Sequence, residues 1–303
     1  MFFILPVGVD YRARRYPVVT FTLMGICILF YLIEVFFRLS GNGKSVDEWV
    51  FPYLWLIPSE SHWWTYLTTM FVHEGFFHLA GNMVYLFLFG ACVEDIIGRF
   101  RFTIFYLLGG LAASFAYIAL TQDHFKSDIP LGGASGAISA CIGGFLLLLL
   151  KTKIEFKWVF FFFFRIWSGE FMLPAWLVIS FWFLEDFVMM ILTMMANQVG
   201  GGTAFAAHVG GMLFGMGLMA IEKVRLRRAG DDDFEEEPEI EKKPVMRVVV
   251  KPKSVSPPDE APTILLFHND TQSGPFTLSQ IQHKFLIGEI SMEALYWYEG
   301  MDD

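Results

Sequence analysis

Six stretches of this chain are long and apolar enough to cross a lipid bilayer, and they limit what it can fold into. They run roughly Pro17–Phe37, Phe76–Cys92, Phe102–Leu120, Leu131–Leu150, Phe171–Met195 and Thr203–Ile221. A span needs about 20 residues, and somewhat shorter ones are tolerated. The composition agrees. With 55% hydrophobic residues and a mean hydropathy of +0.49, the chain does not fit one soluble domain. The fold class this predicts is an all-α polytopic membrane protein.

Charge divides the chain. Residues 1–230 carry 16 Lys and Arg against 15 Asp and Glu, a net +1, whereas residues 231–303 carry 6 against 16, a net −10. The acidic excess belongs to the tail, and nothing points to nucleic acid. Arg12, Arg14 and Arg15 before an apolar run look like a signal peptide at first. The run is too long and has no small-residue cleavage site, so it reads as an uncleaved first span.

Basic residues set the orientation. Arg12, Arg14 and Arg15 precede span one; Arg99 and Arg101 lie between spans two and three; Lys151, Lys153, Lys157 and Arg165 lie between four and five; Lys223, Arg225, Arg227 and Arg228 follow span six. Beyond the span edges, the other three loops hold only Lys44 and Lys126. Both ends of the six-span body are expected in the cytoplasm, in a cell membrane such as the bacterial inner membrane. The first outer loop, from Ser40 to about Val72, is rich in Trp and Tyr, which favour the membrane interface. The inner stretch F-K-W-V-F-F-F-F-F-R-I-W reads as an interfacial strand or half-buried loop.

Three domains follow. Residues 1–228 form the membrane body. Residues 229–262 are acidic and punctuated by proline, which reads as an extended solvated linker. Residues 263–303 recover apolar and aromatic residues, with a turn expected at Ser273–Pro275 and a helix start at Ser279. Cys27, Cys92 and Cys141 fall within apolar runs and read as buried thiols. No metal site or cofactor is expected.

Polar groups inside the apolar segments carry the chemistry. Ser135 lies in L-G-G-A-S-G-A, His208 in A-F-A-A-H-V-G-G, and His78 and Asn82 in H-E-G-F-F-H-L-A-G-N. Spans two, four and six all start outside. At about 1.5 Å rise per residue, the four side chains lie roughly 6–9 Å below the outer surface. His78 and Asn82, four residues apart, share one helix face. His208, Gly211 and Gly215 form one stripe; Ser135, Ser139 and Gly143, with Gly136, Ala140 and Gly144 beside them, form another. Small stripes let membrane helices approach closely, as a Ser–His hydrogen bond between them requires. A serine hydroxyl needs such a base to become a nucleophile, and the oxyanion it creates needs donors. His78, Asn82 and the backbone around Ser135 are at hand. No carboxylate is expected at this depth, so the constellation reads as a Ser–His dyad. Taken singly, each residue has a blander reading. A lone membrane serine usually bonds a neighbouring helix, and a lone histidine is often structural or a transport residue. Shared depth on glycine-lined helices favours a site.

Glu185 and Asp186 sit near the middle of span five, where an acid costs about 2.5–3.5 kcal/mol. The bland expectation is that span five is tilted or lies next to water and that one of them hydrogen-bonds a neighbouring helix in its protonated form. The sharper one is that its charge sets how firmly span five closes against span two.

G-A-S-G at 133–136, H-E-G-F-F-H-L-A-G-N at 73–82 and A-H-V-G-G-M-L-F-G at 207–215 resemble the signature segments of the rhomboid intramembrane serine proteases. The resemblance covers roughly residues 10–225 and implies a six-transmembrane-helix rhomboid-like bundle. It implies Ser135 as nucleophile, His208 as base, and His78, Asn82 and Gly133 on the oxyanion side. Glu94 and Gly98 match the family's E-x-x-x-G. Trp64-Thr65 stands where many members have Trp-Arg. Ser139 stands where some carry a tyrosine stacked on the histidine, so here the imidazole must be oriented otherwise. The implied substrates are transmembrane segments of other proteins, reached through membrane lipid. The alternative is a catalytically silent relative that binds membrane proteins. A solute transporter would predict internal repeats, which the sequence lacks. From about Leu266 the tail resembles a small α+β GYF-like module in Q-S-G-P-F-T-L-S-Q-I and A-L-Y-W-Y-E-G-M-D-D, implying a cytoplasmic peptide or protein ligand.

Overall fold

The computed structural model of the chain describes residues 2–40, 53–121, 129–163, 165–196, 205–230, 264–268, 271–277, 280 and 283. The chain divides into two compact units, Met1–Glu235 and Glu236–Asp303.

In the first unit, α1 spans Val18–Leu39, α2 Phe76–Ile97, α3 Arg99–Thr121, α4 Ser135–Leu148, α5 Ala175–Ala196 and α6 Phe205–Ala229. All but α4 are long and apolar enough to cross a membrane. α1 and α5 leave large apolar side chains exposed, among them Leu29, Leu32, Phe36, Phe181 and Leu184. That is unfavourable in water and suits lipid.

The fourth apolar segment departs from expectation. Leu131–Ala134 is not helical, and α4 has only 14 residues. Its length of about 21 Å falls short of a hydrocarbon core of about 30 Å. A short helix suffices because protein surrounds it: every residue from Gly136 to Leu146 is buried. Ser135 therefore opens the helix instead of lying four residues inside it.

α4 reaches α6 through the small-residue stripes read from the sequence. A Cβ on Gly211 would overlap the carbonyl of Gly136, and one on Gly215 the carbonyl of Ala140. Aromatic residues fill the other side of α4. The Phe145 and Phe89 rings meet edge to face at 5.0 Å, and Phe102, Phe105 and Tyr106 of α3 are fully buried. Cys27, Cys92 and Cys141 are buried free thiols.

Two acids at the end of α2 anchor the N-terminal segment. The first N–H groups of a helix lack intrahelical acceptors, and a carboxylate is favoured beside them. Glu94 accepts the N–H of Val19 at 2.9 Å, the N–H of Thr20 at 2.7 Å and its hydroxyl at 2.8 Å. Asp95 accepts the N–H groups of Arg14 and Arg15 and the Tyr11 hydroxyl. Gly98 ends α2 at φ +82°, a backbone region that favours glycine.

The body is not all-α. β1 (Phe2–Val9), β2 (Lys153–Phe162) and β3 (Arg165–Pro174) form an antiparallel sheet in the order β1-β2-β3. The cause is composition: Phe, Val, Ile and Trp suit strands as well as spans. Pro6 is tolerated because β1 is an edge strand whose register shifts there. Phe171–Pro174 pair with Lys153–Phe156, so the fifth helix begins at Ala175 and not at Phe171. Side chains alternate across the sheet. Phe2, Phe160 and Trp167 are paired on one face. The other carries Leu5, Lys157 and Glu170, the last two as an ion pair at 3.9 Å. The aromatic stretch thus falls in two strands, where its sequence suggests a strand or a half-buried loop.

In the second unit, β4 (Ile264–His268) pairs with β5 (Thr271–Phe276). The turn expected at Ser273–Pro275 lies within β5 instead; the hairpin reverses between His268 and Thr271. Thr277 N–H donates to Gln280 Oε1 at 2.9 Å and Gln280 N–H to Thr277 Oγ1 at 3.4 Å, a capping box that opens a helical turn. Ser279, the expected helix start, lies outside the described residues. The expected linker beyond Gly230, and most of the expected GYF-like module, lie outside the described residues.

Candidate functional site

The site gathers at the N-terminal ends of α4 and α6. Ser135 is the first residue of α4, and His208 lies in the first turn of α6. The glycine-lined contact between these helices brings His208 Nε2 to 3.0 Å from Ser135 Oγ. That is hydrogen-bond distance for a base and the hydroxyl it would activate.

The turn before Ser135 is pinned from several directions. Leu131 exchanges backbone hydrogen bonds with Leu56 at 2.9 and 3.1 Å, and its carbonyl accepts the Thr69 hydroxyl. Gly133 N–H donates to Thr69 O at 2.9 Å, and Ala134 N–H to His73 Nε2 at 3.4 Å. The described residues between α1 and α2 thus act as a clamp on the serine turn. Trp64 and Thr65 are among them. Trp64 donates its indole N–H to Tyr53 O at 2.9 Å and stacks on His62, while buried Thr65 bonds the His62 carbonyl at 2.7 Å.

His78 and Asn82 reach the same turn from α2. Gly133 has φ +119°, and a Cβ there would lie 2.8 Å from His78 Nε2 and 3.7 Å from Asn82 Nδ2. Asn82 donates one amide hydrogen to His78 O at 2.9 Å, which holds it against its own helix and leaves the second. Gly133 N–H donates to Thr69 O, and its lack of a side chain leaves room for the His78 ring. Backbone donors come from the first turn of α4, whose N–H groups lack intrahelical acceptors and sit at the positive end of the helix dipole.

Two residues stand at the site that the sequence does not assign to it, although one of them, Asp186, is expected there as one of two acids able to hydrogen-bond a neighbouring helix. His73 is fully buried, its ring 5.3 Å from that of His78. Burial first, and the neighbouring His78 charge second, lower its pKa to about 4, so it is neutral at pH 7. It had a signal, as the first histidine of the same motif. The second is Asp186. Its Oδ1 lies 3.2 Å from His208 Nδ1, with the two side chains 21% and 14% exposed. This corrects the expectation that no carboxylate lies level with the histidine. Depth was counted from segment ends, and the ends are not level. Asp186 is ten residues before the end of α5, about 15 Å, while His208 is three residues into α6, about 4.5 Å. The last turns of α5 therefore run well past the start of α6. No sequence signal distinguishes Asp186 from Glu185 until the inward stripe of α5 is known.

A histidine between a hydroxyl and a carboxylate, next to free helix N–H groups, can move a proton and stabilise an oxyanion. The comparisons with known proteins point to one family. Residues 60–224 match the family model described as "Rhomboid domain". The chain is 33% identical over 141 residues to Rhomboid protease GluP of Bacillus subtilis, covering 45% of this chain and 26% of that protein. It is 30% identical over 138 residues to Putative rhomboid protease YdcA of the same organism, covering 45% of this chain and 65% of that one. It is 24% identical over 207 residues to Rhomboid protease AarA of Providencia stuartii, covering 65% and 69%. The aligned stretch spans about a quarter of GluP and under two thirds of YdcA. With more than half of its length inside the matched domain, this chain is a member of the rhomboid family.

Proposed function

We propose that the chain is an intramembrane serine endopeptidase that cleaves peptide bonds in or near the transmembrane segments of other membrane proteins. The observation that carries this reading is the 3.0 Å approach of His208 Nε2 to Ser135 Oγ. Ser135 attacks the scissile carbonyl while His208 takes its proton. The oxyanion is held by the first N–H groups of α4, with His78 and Asn82 beside them. His208 returns the proton to the leaving amine, and water then repeats the sequence on the acyl-enzyme. The body lies in the membrane as six segments, five full spans and the short α4, with both its ends in the cytoplasm. The charge bias of the loops supports that orientation.

The silent alternative is the less well supported, because His208 Nε2 and Ser135 Oγ lie within hydrogen-bond distance. The tail, residues 263–303, is read as a GYF-like module that binds a cytoplasmic peptide or protein. The test is labelling of the full-length protein in detergent with a serine-directed fluorophosphonate. Wild type should label and Ser135→Ala should not. Equal labelling of both would contradict the assignment of the nucleophile.

A further inference from the structure

We infer that Asp186 is a positioning residue that completes a Ser135–His208–Asp186 triad; the inference rests on the protease reading above. Both ring nitrogens of His208 are engaged. Nε2 lies 3.0 Å from Ser135 Oγ and Nδ1 3.2 Å from Asp186 Oδ1. A neutral imidazole carries one proton, and an ionised carboxylate can only accept. The carboxylate therefore draws that proton to Nδ1. Nε2 is left with its lone pair facing the serine hydroxyl, which is the tautomer a general base needs. A hydroxyl can donate or accept and selects neither tautomer, so the selection falls to Asp186. When Nε2 takes the serine proton, the ring becomes an imidazolium flanked by the anion, which lowers the cost of the charge.

The placement of Asp186 follows from its helix. α5 buries one narrow stripe: Ala175, Val178 and Ile179 are buried, Trp182 and Phe183 half-buried, and Asp186 is next at helical spacing. Glu185, about 100° round the helix, is exposed. Mid-helix acids are costly in a membrane, and a partner offsets that cost. Here the partner is the histidine that faces the serine. The position that the aromatic-stacking relatives fill is Ser139, buried in α4. Orientation of the ring comes from the opposite side, through Nδ1.

Among the described residues, the groups facing His208 are few. Asp186 comes from α5, Ser135 from α4, and the His78 imidazole from α2 is close enough to interact electrostatically. α3 also packs on α6, but its charges Arg99 and Arg101 lie in its first turn. Arg101 is paired at 3.4 Å with Glu222, fourteen residues from His208, or about 21 Å along α6.

The experiment measures fluorophosphonate labelling rate for full-length wild type, Asp186→Asn, Asp186→Ala and Asp186→Glu in detergent, with Ser135→Ala as blank. The two neutral variants should label more slowly, by up to about 10⁴-fold. Asp186→Glu keeps a carboxylate and should recover most of the wild-type rate. Rates are compared on whichever neutral variant melts at the wild-type temperature. Wild-type rate in that variant, or a rate for Asp186→Glu as low as that of the neutral variants, would overturn the inference and leave the protease reading standing. Wild type labelling no faster than the Ser135→Ala blank would instead overturn the protease reading itself.

Discussion

Gly133 and His78 stand so close that a side chain on the glycine has nowhere to go: its Cβ would lie 2.8 Å from both Nε2 and Cε1 of the imidazole. The glycine is also held at φ +119°. Gly133→Ala meets both obstacles. Left-handed strain alone costs about 1–3 kcal/mol, and the ring must shift as well. We expect a lower melting temperature and at least a tenfold fall in labelling of Ser135 by fluorophosphonate. Wild-type labelling would mean that the His78 ring is not fixed against this turn.

Removing an oxyanion donor typically costs about 10²–10³ in rate. His78→Ala and Asn82→Ala should each slow turnover of a transmembrane substrate by that order while the protein stays folded. The Asn82 amide has one hydrogen committed to the His78 carbonyl, so Asn82→Ala also frees that end of α2. Turnover at the wild-type rate in both variants would remove His78 and Asn82 from the mechanism.

Glu94 is 2% exposed and accepts three hydrogen bonds from Val19 and Thr20. A hydrogen bond to a charged group contributes about 1.5–3 kcal/mol. Glu94→Ala leaves the first N–H groups of α1 without acceptors and should lower the melting temperature far more than Glu94→Gln, which keeps one oxygen. Thermal melts in one detergent compare the two. Equal, small losses would show that α1 does not depend on this carboxylate.

His73 supplies a pH dependence. Its pKa is lowered to about 4 by burial, against about 6.5 in an unfolded chain. As pH falls through about 6.5 the unfolded chain takes up a proton that the folded protein refuses. Stability is therefore lost between about pH 6.5 and 4, by on the order of 3 kcal/mol in all, and the loss stops below 4. His73→Gln cannot protonate and keeps an acceptor for the Ala134 N–H. Its melting temperature should fall less than that of wild type across this window. Parallel curves would place the protonation elsewhere.

Much of this was legible in the sequence, and the reasons are local. The apolar segments announce α1, α2, α3, α5 and α6, because about 20 apolar residues in a row have few other uses. Gly211 and Gly215 on one stripe, with Gly136 and Ala140 on another, foretold the α4–α6 contact. Ser135, His208, His78 and Asn82 stood out as polar groups in an apolar setting. What failed depended on the third dimension. Asp186 was excluded by counting depth from segment ends, which assumes level helices. β1 went unread because Phe2–Val9 is as apolar as a span and contains Pro6. The length of α4 is overestimated from the sequence because Leu131–Ala134 is apolar enough to look helical but is held out of the helix by Leu56 and Thr69.

The most direct test of the central claim reconstitutes the full-length protein in liposomes with a model single-span substrate and follows cleavage by gel. Wild type should cleave it. Ser135→Ala and His208→Ala should each abolish cleavage while melting as wild type does, and the double variant should be no worse than either single, since the pair acts as a unit. Cleavage by purified Ser135→Ala at the wild-type rate would contradict the account.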